Sequence, residues 1–394
     1  MDNPSIKPQK TLARALNLPA LSRDFKLICG YQLLLNLIDG MLGLFLPIFL
    51  FENFHQSIYL VIVFYLLGYG LYALSVPLGA MIMSKIGLKK SIIIARFIVI
   101  GFYAAIFLLK NNIWAVILIS NAFLLLFRLL YWTPYHTNFA QITHRDSRGR
   151  SVAYIAIVGY IAGIAAPLLA GFILSSHGFG LLFSIAVVVM TLAIIPLFFI
   201  KPVDAHFDFS YIGTFKELFK KENKNLRIAY MADGAQSTVG IIVWPIFIYQ
   251  LLERQYLAVG AVSTLIISGT IIFYLIAGQF TDKLDKKKIM KYGSLLYSVG
   301  WLLKTFVATA FQIFIVGTIH TFSEVFLRTP LAALMYEKAA DHGAYVDEYT
   351  VLREISICLG RSMMCLLLIA LIGLINLKIV FPIAAVISLL INFL

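Results

Sequence analysis

About a dozen long apolar runs dominate this chain, and they restrict it to folds that are stable in a lipid bilayer. Hydrophobic residues make up 61% of its 394 residues and charged residues only 13%, which is roughly half the charged share of a soluble domain. Each run is about 20 residues long, the length that a helix needs to cross the hydrocarbon core. The runs are continuous and do not alternate polar with apolar residues, which excludes a transmembrane barrel.

The runs predict an all-α polytopic membrane protein with twelve transmembrane helices in two six-helix bundles, residues 26–200 and 226–394. The predicted helices cover 26–50, 58–83, 91–109, 113–135, 152–176, 179–200, 226–251, 257–281, 289–309, 311–335, 350–374 and 376–394. Residues 1–25 are polar and basic and lack the pattern of a cleavable signal peptide, so we expect a cytoplasmic tail. Residues 201–225 are expected to link the bundles, with a short amphipathic helix carrying Phe215, Leu218 and Phe219 on its apolar side.

The net charge of +13 is explained by the loops on one side of the predicted bundle. Lysines and arginines collect in alternate loops, whereas the intervening loops hold little beyond Lys110, Arg254 and Lys378. This positive-inside pattern predicts an integral protein of the plasma (inner) membrane with both termini in the cytoplasm. The lipid bilayer is thus the expected partner, and no nucleic acid is needed to account for the charge.

Two basic turns recur about 198 residues apart and indicate an internal duplication. They read Ala80-Met-Ile-Met-Ser84-Lys85-Ile-Gly87-Leu-Lys89-Lys90 and Gly278-Gln-Phe-Thr-Asp282-Lys283-Leu-Asp285-Lys286-Lys287-Lys288. Thr133-Pro134 and Thr329-Pro330, Pro47 and Pro245, and Gly163 and Gly360 repeat at nearly the same offset. The ordered set indicates two parallel copies of one six-helix unit, with a binding site between them at mid-depth.

The two turns resemble the loop signature of the major facilitator superfamily, Gly-x-x-x-Asp-(Arg/Lys)-x-Gly-(Arg/Lys)-(Arg/Lys), and the resemblance covers almost the whole chain. The second copy is well kept, although Asp285 replaces the later glycine; its matching residues are Gly278, Asp282, Lys283, Lys286 and Lys287. In the first copy Ser84 takes the acidic position, beside Lys85, Gly87, Lys89 and Lys90. The resemblance implies a secondary transporter of a small solute of unknown class, not an enzyme and without a cofactor. We expect it to function as a monomer.

The fifth predicted helix carries a second resemblance. Its Gly159, Gly163, Pro167 and Gly171 are similar to the Gly-Pro-x-x-Gly-Gly signature of the family's antiporters, although alanines at 166 and 170 replace two glycines. Small residues at this spacing permit close helix packing, and the proline permits a bend. The pattern slightly favours antiport or export, while ordinary helix packing explains the same residues equally well.

Ionisable residues inside the predicted helices supply the candidate site, because a charge at mid-bilayer needs a partner or a wet cavity. Asp39, near mid-depth with Asn36 one turn away, is our first choice for a proton-titrating group. Arg128 and Glu324 occupy equivalent places in the two halves and could form a bridge between them, with Arg328 as a competing local partner of Glu324. The remaining candidates are Arg361, Glu354, Asp233 and His320, of which Asp233 favours a structural role.

Two other functions stay open at this point. Asp282 and Asp285 at a cytoplasmic interface could hold Mg²⁺ with a pyrophosphate, as in an enzyme that acts on a lipid-linked substrate. An uncoupled facilitator or a non-transporting sensor would have the same fold but would not couple solute movement to protons. The repeat already accounts for Asp282, and enzymes of the first kind usually need further acids. Proton-coupled transport by alternating access is therefore the leading hypothesis, and no metal site is expected.

The difference between the two turns generates a prediction. In the family, the turn's carboxylate accepts hydrogen bonds from the start of a helix in the other half and so closes the cytoplasmic gate. Asp282 would bring this charge, whereas Ser84 could only cap the start of the eleventh helix. Transport by Asp282→Asn, measured at matched protein amounts, should therefore fall clearly below that of Ser84→Ala. Equal losses in the two variants would contradict an asymmetric gate.

Overall fold

The computed structural model describes residues 23–142, 148–199, 207, 209–281, 286–341, 346–373 and 376–394, and it confirms an all-helical membrane protein. In this part of the chain, eight helices are long and apolar enough to cross a bilayer, and two shorter apolar helices cover 256–271 and 377–393. One of the eight, Ala162–Phe199, contains a sharp kink and holds two spans. With the lysine-rich helix Lys286–Lys304, the described helices fit the expected twelve.

The first half contains membrane helices α1 to α6. Their bounds are Arg23–Leu42 and Leu46–Asn53 for α1, Ile58–Ile86 for α2, Leu88–Leu108 for α3, and Ile113–Ala115, Val116–Ser120 and Asn121–Ile142 for α4; α5 and α6 share Arg148–Phe199. Gly178 separates α5 from α6 with a φ of 74°, a left-handed conformation that favours glycine. Gly87, with a φ of 86°, alone joins α2 to α3.

The second half contains α7 to α12. Their bounds are Lys224–Thr238, Val239–Val243 and Trp244–Leu251 for α7, Tyr256–Thr281 for α8, Lys286–Lys304 for α9, Ala310–Asp341 for α10, Val346–Leu371 for α11, and Leu377–Ile379, Val380–Leu389 and Leu390–Phe393 for α12. Helix α9 ends at Lys304 rather than at the expected 309. Helix α10 runs beyond the expected 335 and continues through Pro330. Proline lacks a backbone N–H, and neighbouring helices of a membrane bundle can satisfy the carbonyl group that this leaves without a partner.

The described part of the linker contains the helix Tyr211–Phe219, which contacts both halves. Leu218 is fully buried, whereas Phe219, expected on the same apolar side, is 62% exposed. The Tyr211 hydroxyl donates a hydrogen bond to the Leu74 carbonyl of α2 (3.0 Å), and Arg227 of α7 donates to the Leu218 carbonyl (2.7 Å). The linker helix therefore lies against α2 of the first half and against α7 and α11 of the second.

The two halves pack along two pairs of helices, α2 with α11 and α5 with α8. Glycines make the α5–α8 crossing close. A Cβ at Gly260 would lie 2.3 Å from the Pro167 carbonyl oxygen, and a Cβ at Gly171 would lie 2.6 Å from the Tyr256 carbonyl oxygen. Backbones can approach this closely only where no side chain intervenes. Pro167 and Gly171, two members of the fifth-helix motif, thus lie at the junction of the halves.

This crossing predicts a sharp difference between two glycines. Gly260→Ala should destabilise the protein by about 1–3 kcal/mol, because the added methyl group meets rigid backbone. Gly163→Ala is the matched control, since its Cβ would find only the Ile267 side chain at 3.9 Å. Thermal unfolding of both variants in the same detergent would measure the difference. Equal melting midpoints would contradict a close α5–α8 contact.

Candidate functional site

The halves are joined by hydrogen bonds at the end of the bundle opposite the two chain termini, which we call the distal end. Glu52, at the end of α1, accepts hydrogen bonds from the hydroxyl groups of Tyr249 and Tyr256 in the second half. Next to it, Arg254 donates to Gln56 across the same boundary (2.8 Å). We call these five residues the distal gate. In this structure the gate is closed, because one carboxylate binds two tyrosines of the other half.

Aromatic rings pack beneath the distal gate and connect it to both halves. The ring centroid of Tyr256 lies 5.3 Å from that of Tyr249, 5.6 Å from that of Phe179 and 6.3 Å from that of Phe45. Phe49 packs edge-on against Phe179 at 4.8 Å. Close aromatic pairs of this kind add stability beyond their buried area, so the closed gate rests on an apolar seal as well as on hydrogen bonds.

The polar face of α1 lies between the distal gate and the terminal end of the bundle. Gln32 donates to the Asn36 side-chain oxygen (3.0 Å) and accepts a hydrogen bond from the Tyr135 hydroxyl (2.9 Å). Asn36 also fits against Gly159 of α5, where a Cβ would lie 2.8 Å from its amide nitrogen. Asp39, one turn further along, has an exposed side chain that makes no hydrogen bond or ion pair within the described part of the chain.

Arg96 of α3 is held by aromatic rings rather than by an acid. Its guanidinium carbon lies 3.9 Å from the ring centroid of Tyr131, 5.3 Å from that of Tyr31 and 5.4 Å from that of Phe127. Its Nε donates to the Tyr31 hydroxyl (2.7 Å), and the residue is only 2% exposed. Ring faces can stabilise a desolvated guanidinium in this way, so these aromatic side chains take the place of a carboxylate partner for Arg96.

The second half places its acids and its arginine in one network. Arg328 of α10 binds Asp233 of α7 through Nη1 (2.5 Å) and Glu324 through Nε (3.2 Å). Gln236 donates to the Asp233 carboxylate (3.0 Å) and accepts from the Tyr297 hydroxyl (2.9 Å). Arg328 is thus the partner of Glu324 in this structure, as the local alternative predicted, and the bridge from Glu324 to Arg128 stays a prediction for another conformation.

His320 extends the same network towards α9. Its ring stacks on Tyr297 at 4.2 Å and meets Trp301 edge-on at 4.6 Å, and its Nδ1 has no hydrogen-bond partner in the described part of the chain. Lys304 lies beyond it, with its ammonium group 4.0 Å from the Trp301 ring and 4.5 Å from the Trp244 ring. A series of polar and aromatic side chains therefore runs from the centre of the second half almost to the distal end.

Two pairs of residues in α1 and α7 occupy corresponding places in the repeat. Asn36 corresponds to Asp233, and Asp39 corresponds to Gln236, with the offset of 197 that also relates Glu52 to Tyr249. Each half therefore carries one acid and one amide, three residues apart, with the two types exchanged. In the second half the acid has an arginine partner, whereas in the first half it has none among the described residues.

One tyrosine of α2 lies between arginines from both halves. The guanidinium carbons of Arg128 in α4 and Arg361 in α11 are each 5.0 Å from the ring centroid of Tyr69. Arg128 also donates to the Gly68 carbonyl (2.9 Å). Glu354, seven residues before Arg361 on the same face of α11, binds its neighbour Arg353 (2.6 Å) instead. We call Arg128, Tyr69 and Arg361 the arginine pair site.

The fold is shared with known transporters. The family model described as Major Facilitator Superfamily matches residues 28–223. The human organic anion transporter MFSD10 (TETRAN) has a TM-score of 0.68 and 13% identity, with 95% of this chain and 99% of that chain covered. FucP, a transporter of the same superfamily in the outward conformation, has a TM-score of 0.68 and 14% identity, with 95% and 98% covered.

The chain belongs to the major facilitator superfamily. A relative from Bacillus subtilis (strain 168), described as "Uncharacterized protein YqgE", is 26% identical over 292 residues, which are 71% of this chain and 67% of the relative. The superfamily fold explains why two six-helix halves enclose the residues described above. The structural likenesses at 13–14% identity support the fold and leave the cargo open.

The superfamily's loop signature is only partly within the described residues. The described residues do not include Asp282, Lys283 and Asp285. The surroundings of Gly278 and Lys286 are not described either. Ser84 donates its hydroxyl hydrogen to the Met81 carbonyl of its own helix (2.9 Å), and Lys89 binds the Phe198 carbonyl at the end of α6 (2.7 Å). Lys85, Lys90 and Lys287 have exposed side chains. The asymmetric gate stays a prediction. The described residues contain no cluster of metal-ligating side chains.

Sequence reasoning did not identify the distal gate or Tyr69. The internal repeat could have pointed to Glu52 and Tyr249, because these two residues occupy equivalent positions of the two halves, near the ends of equivalent helices. Contact between such ends is expected when two parallel superfamily halves close at one side. Tyr69 had no comparable signal, since it is one of 20 tyrosines in an apolar chain.

Removing the charge at the distal gate should open it. Glu52→Gln weakens two charge-assisted hydrogen bonds, each worth about 1.5–3 kcal/mol. In a cysteine-free background, a single cysteine replacing Phe45, which is buried against Tyr256 beneath the gate, should then react several-fold faster with an impermeant maleimide added at the distal side. Glu253→Gln is the control, because Glu253 is an exposed carboxylate of the neighbouring turn. Equal labelling rates in both variants would show that Glu52 does not hold the gate.

Proposed function

We propose that this chain is a proton-coupled secondary active transporter that moves a small solute by alternating access. The family and fold of known transporters support the general activity. The cytoplasmic location of the termini, the plasma-membrane location and the monomeric state are part of the proposal, and the first two rest on the charge pattern of the loops. We also propose that the chain is not an enzyme.

The observation that carries the proton coupling is the state of Asp39. The other carboxylates at mid-bundle each bind an arginine: Asp233 and Glu324 share Arg328, and Glu354 binds Arg353. The Asp39 carboxyl group has no such partner in the described residues, and its side chain is exposed although its neighbours Leu35, Ile38 and Leu42 are buried. A charge at mid-bilayer is too costly to face lipid tails, so the side chain faces water between the helices.

A carboxyl group in this position has the properties that proton coupling needs. It can exchange protons with water, because it is accessible, and its charge is not fixed by an ion pair. A change of its charge alters the stability of one conformation relative to the other only if the two conformations surround it differently. Helix α1 is interrupted at residues 43–45, just beyond Asp39, and its far segment carries Glu52 of the distal gate. Asp39 therefore lies next to the break that separates the site from the gate.

The direction of transport is proposed from the fifth helix. Gly159 gives room to Asn36, while Pro167 and Gly171 contact α8 of the other half. The motif therefore touches both the polar face of α1 and the junction between the halves. This arrangement supports the antiport or export that the motif suggests, since a bend at the junction would couple substrate exchange to the movement of the halves.

The test separates coupling from exchange. Asp39→Asn reconstituted in proteoliposomes should lose substrate-dependent proton flux, because the side-chain amide of asparagine does not take up a proton near neutral pH. It should keep exchange of labelled for unlabelled substrate under zero proton gradient. Asp39→Glu, which preserves the carboxyl group, should keep part of the flux.

Glu253→Gln serves as the control for removal of an exposed carboxylate elsewhere. Proton flux that persists in Asp39→Asn would exclude Asp39 as the coupling group. Exchange without proton flux in the unmodified protein would indicate an uncoupled facilitator. The absence of any flux or exchange with all candidate solutes would argue against transport itself.

A further inference from the structure

The arginine pair site differs from the other cations described above at the middle of the bundle. Arg328 and Arg353 bind carboxylates, and Arg96 and Lys304 are at most 3% exposed behind aromatic rings. Arg128 and Arg361 are only partly buried, and no carboxylate of the described residues lies within 4.0 Å of either guanidinium. Two accessible cations in a low-dielectric interior thus lack an anion.

Arg361 is the less satisfied of the two. It donates no hydrogen bond to a described residue, and its buried Nε has no partner. Arg128 donates one of its five N–H groups to the Gly68 carbonyl, an approach that the absence of a side chain at Gly68 allows. Most donors of both guanidiniums therefore have no partner among the described residues and are open to a bound ligand.

The geometry fits one anionic group between the two arginines. Both guanidinium carbons lie 5.0 Å from one ring centroid, so they are no more than twice that distance apart. A guanidinium that binds a carboxylate with two hydrogen bonds of about 2.8 Å holds its carbon roughly 4 Å from the carboxylate carbon. One carboxylate or phosphate bound by two such guanidiniums would hold their carbons roughly 8 Å apart, and the bound set by the Tyr69 ring permits that distance.

The site also lies where a transported solute has to pass. Arg128 belongs to the first half and Arg361 to the second, and Tyr69 lies near the middle of α2, which packs against α11. A ligand bound to both arginines would bridge the halves, so its affinity would depend on their relative position. A ligand that binds the two conformations differently shifts their populations.

We infer that the transported solute is an organic anion whose carboxylate or phosphate group binds between Arg128 and Arg361 at Tyr69. The inference rests on the proposed transport function for its physiological meaning, but the binding site can be tested without transport. The ring of Tyr69 orients the guanidiniums, and the anion supplies the missing charge. Asp39 is not part of this anion site and remains the proposed proton carrier.

The experiment is a ligand-dependent thermal unfolding measurement on purified full-length protein at fixed ionic strength. The four probes each carry a phenyl ring and differ in charge: benzoate, phenyl phosphate, benzyl alcohol and benzyltrimethylammonium. We expect benzoate, phenyl phosphate or both to raise the melting midpoint, and the neutral and cationic probes to leave it unchanged. The two anions together distinguish a carboxylate site from a phosphate site.

Variants of the pair then test the residues. Arg361→Gln should raise the apparent dissociation constant of the stabilising anion at least tenfold, and Arg128→Gln should do the same. Arg361→Lys should bind with intermediate affinity, because it keeps the charge and loses the fork of donors. Lys221→Gln, which removes an exposed cation of the linker, should bind the anion as the unmodified protein does.

A second readout separates binding from folding. Without any probe, Arg361→Gln should keep or raise the melting midpoint, since removing an unpaired cation from the membrane interior relieves a cost. A lower midpoint without probe would indicate a structural role and overturn the proposal, as would anion stabilisation that survives in Arg361→Gln. Failure of both anions to stabilise the protein, or stabilisation by the cation instead, would overturn it as well.

The outcomes also separate this inference from the proposed function. Anion binding that depends on Arg361, in a protein that shows no flux or exchange of any solute, would keep the anion site and contradict transport. Asp39-dependent proton flux driven by a neutral or cationic solute, with no effect of Arg361→Gln, would keep transport and contradict the anion site.

Discussion

The cost of leaving a polar group unsatisfied in hydrocarbon governs this structure at every level. It makes the backbone helical wherever the chain crosses the bilayer, because each N–H and C=O must be bonded within the segment. It also requires partners for interior charges, as the pairing of Arg328 with Asp233 and Glu324 illustrates. Asp39 and Arg361 depart from this rule within the described residues. They are therefore the residues at which water, protons or a solute have to complete the structure.

The duplication supplies one scaffold, and the two halves use it for different chemistry. In the repeat, Asn36 of α1 corresponds to Asp233 of α7, and Asp39 corresponds to Gln236. The acid and the amide have therefore exchanged places between the two halves. The acid of the second half is fixed by an arginine and by Gln236. Because an ion pair holds its members in one charge state, the second half is suited to rigid support. The first half keeps the carboxylate that can respond to its surroundings.

Contacts between the halves combine a rigid surface with bonds that can break. The α5–α8 crossing is formed by backbone against backbone at Gly171 and Gly260, so it permits little separation but can serve as a pivot. The distal gate is formed by side chains, with Glu52 bonded to two tyrosine hydroxyls. Hydrogen bonds of this kind exchange readily with water when the gate opens. A pivot beside a hydrogen-bonded gate is a physical basis for alternating access.

The sequence by itself determined the helices, their pairing into two halves and the family, because apolar length and a constant repeat offset are properties of the chain alone. It also identified most interior charges, since any ionisable residue in an apolar run stands out. Only the tertiary structure decided which of them meet across helices: Arg328 of α10 binds Asp233 of α7, and Arg128 of α4 and Arg361 of α11 meet at Tyr69 of α2. Such choices depend on distances of a few ångströms between different helices, which follow from helix packing and leave no periodic trace in the sequence.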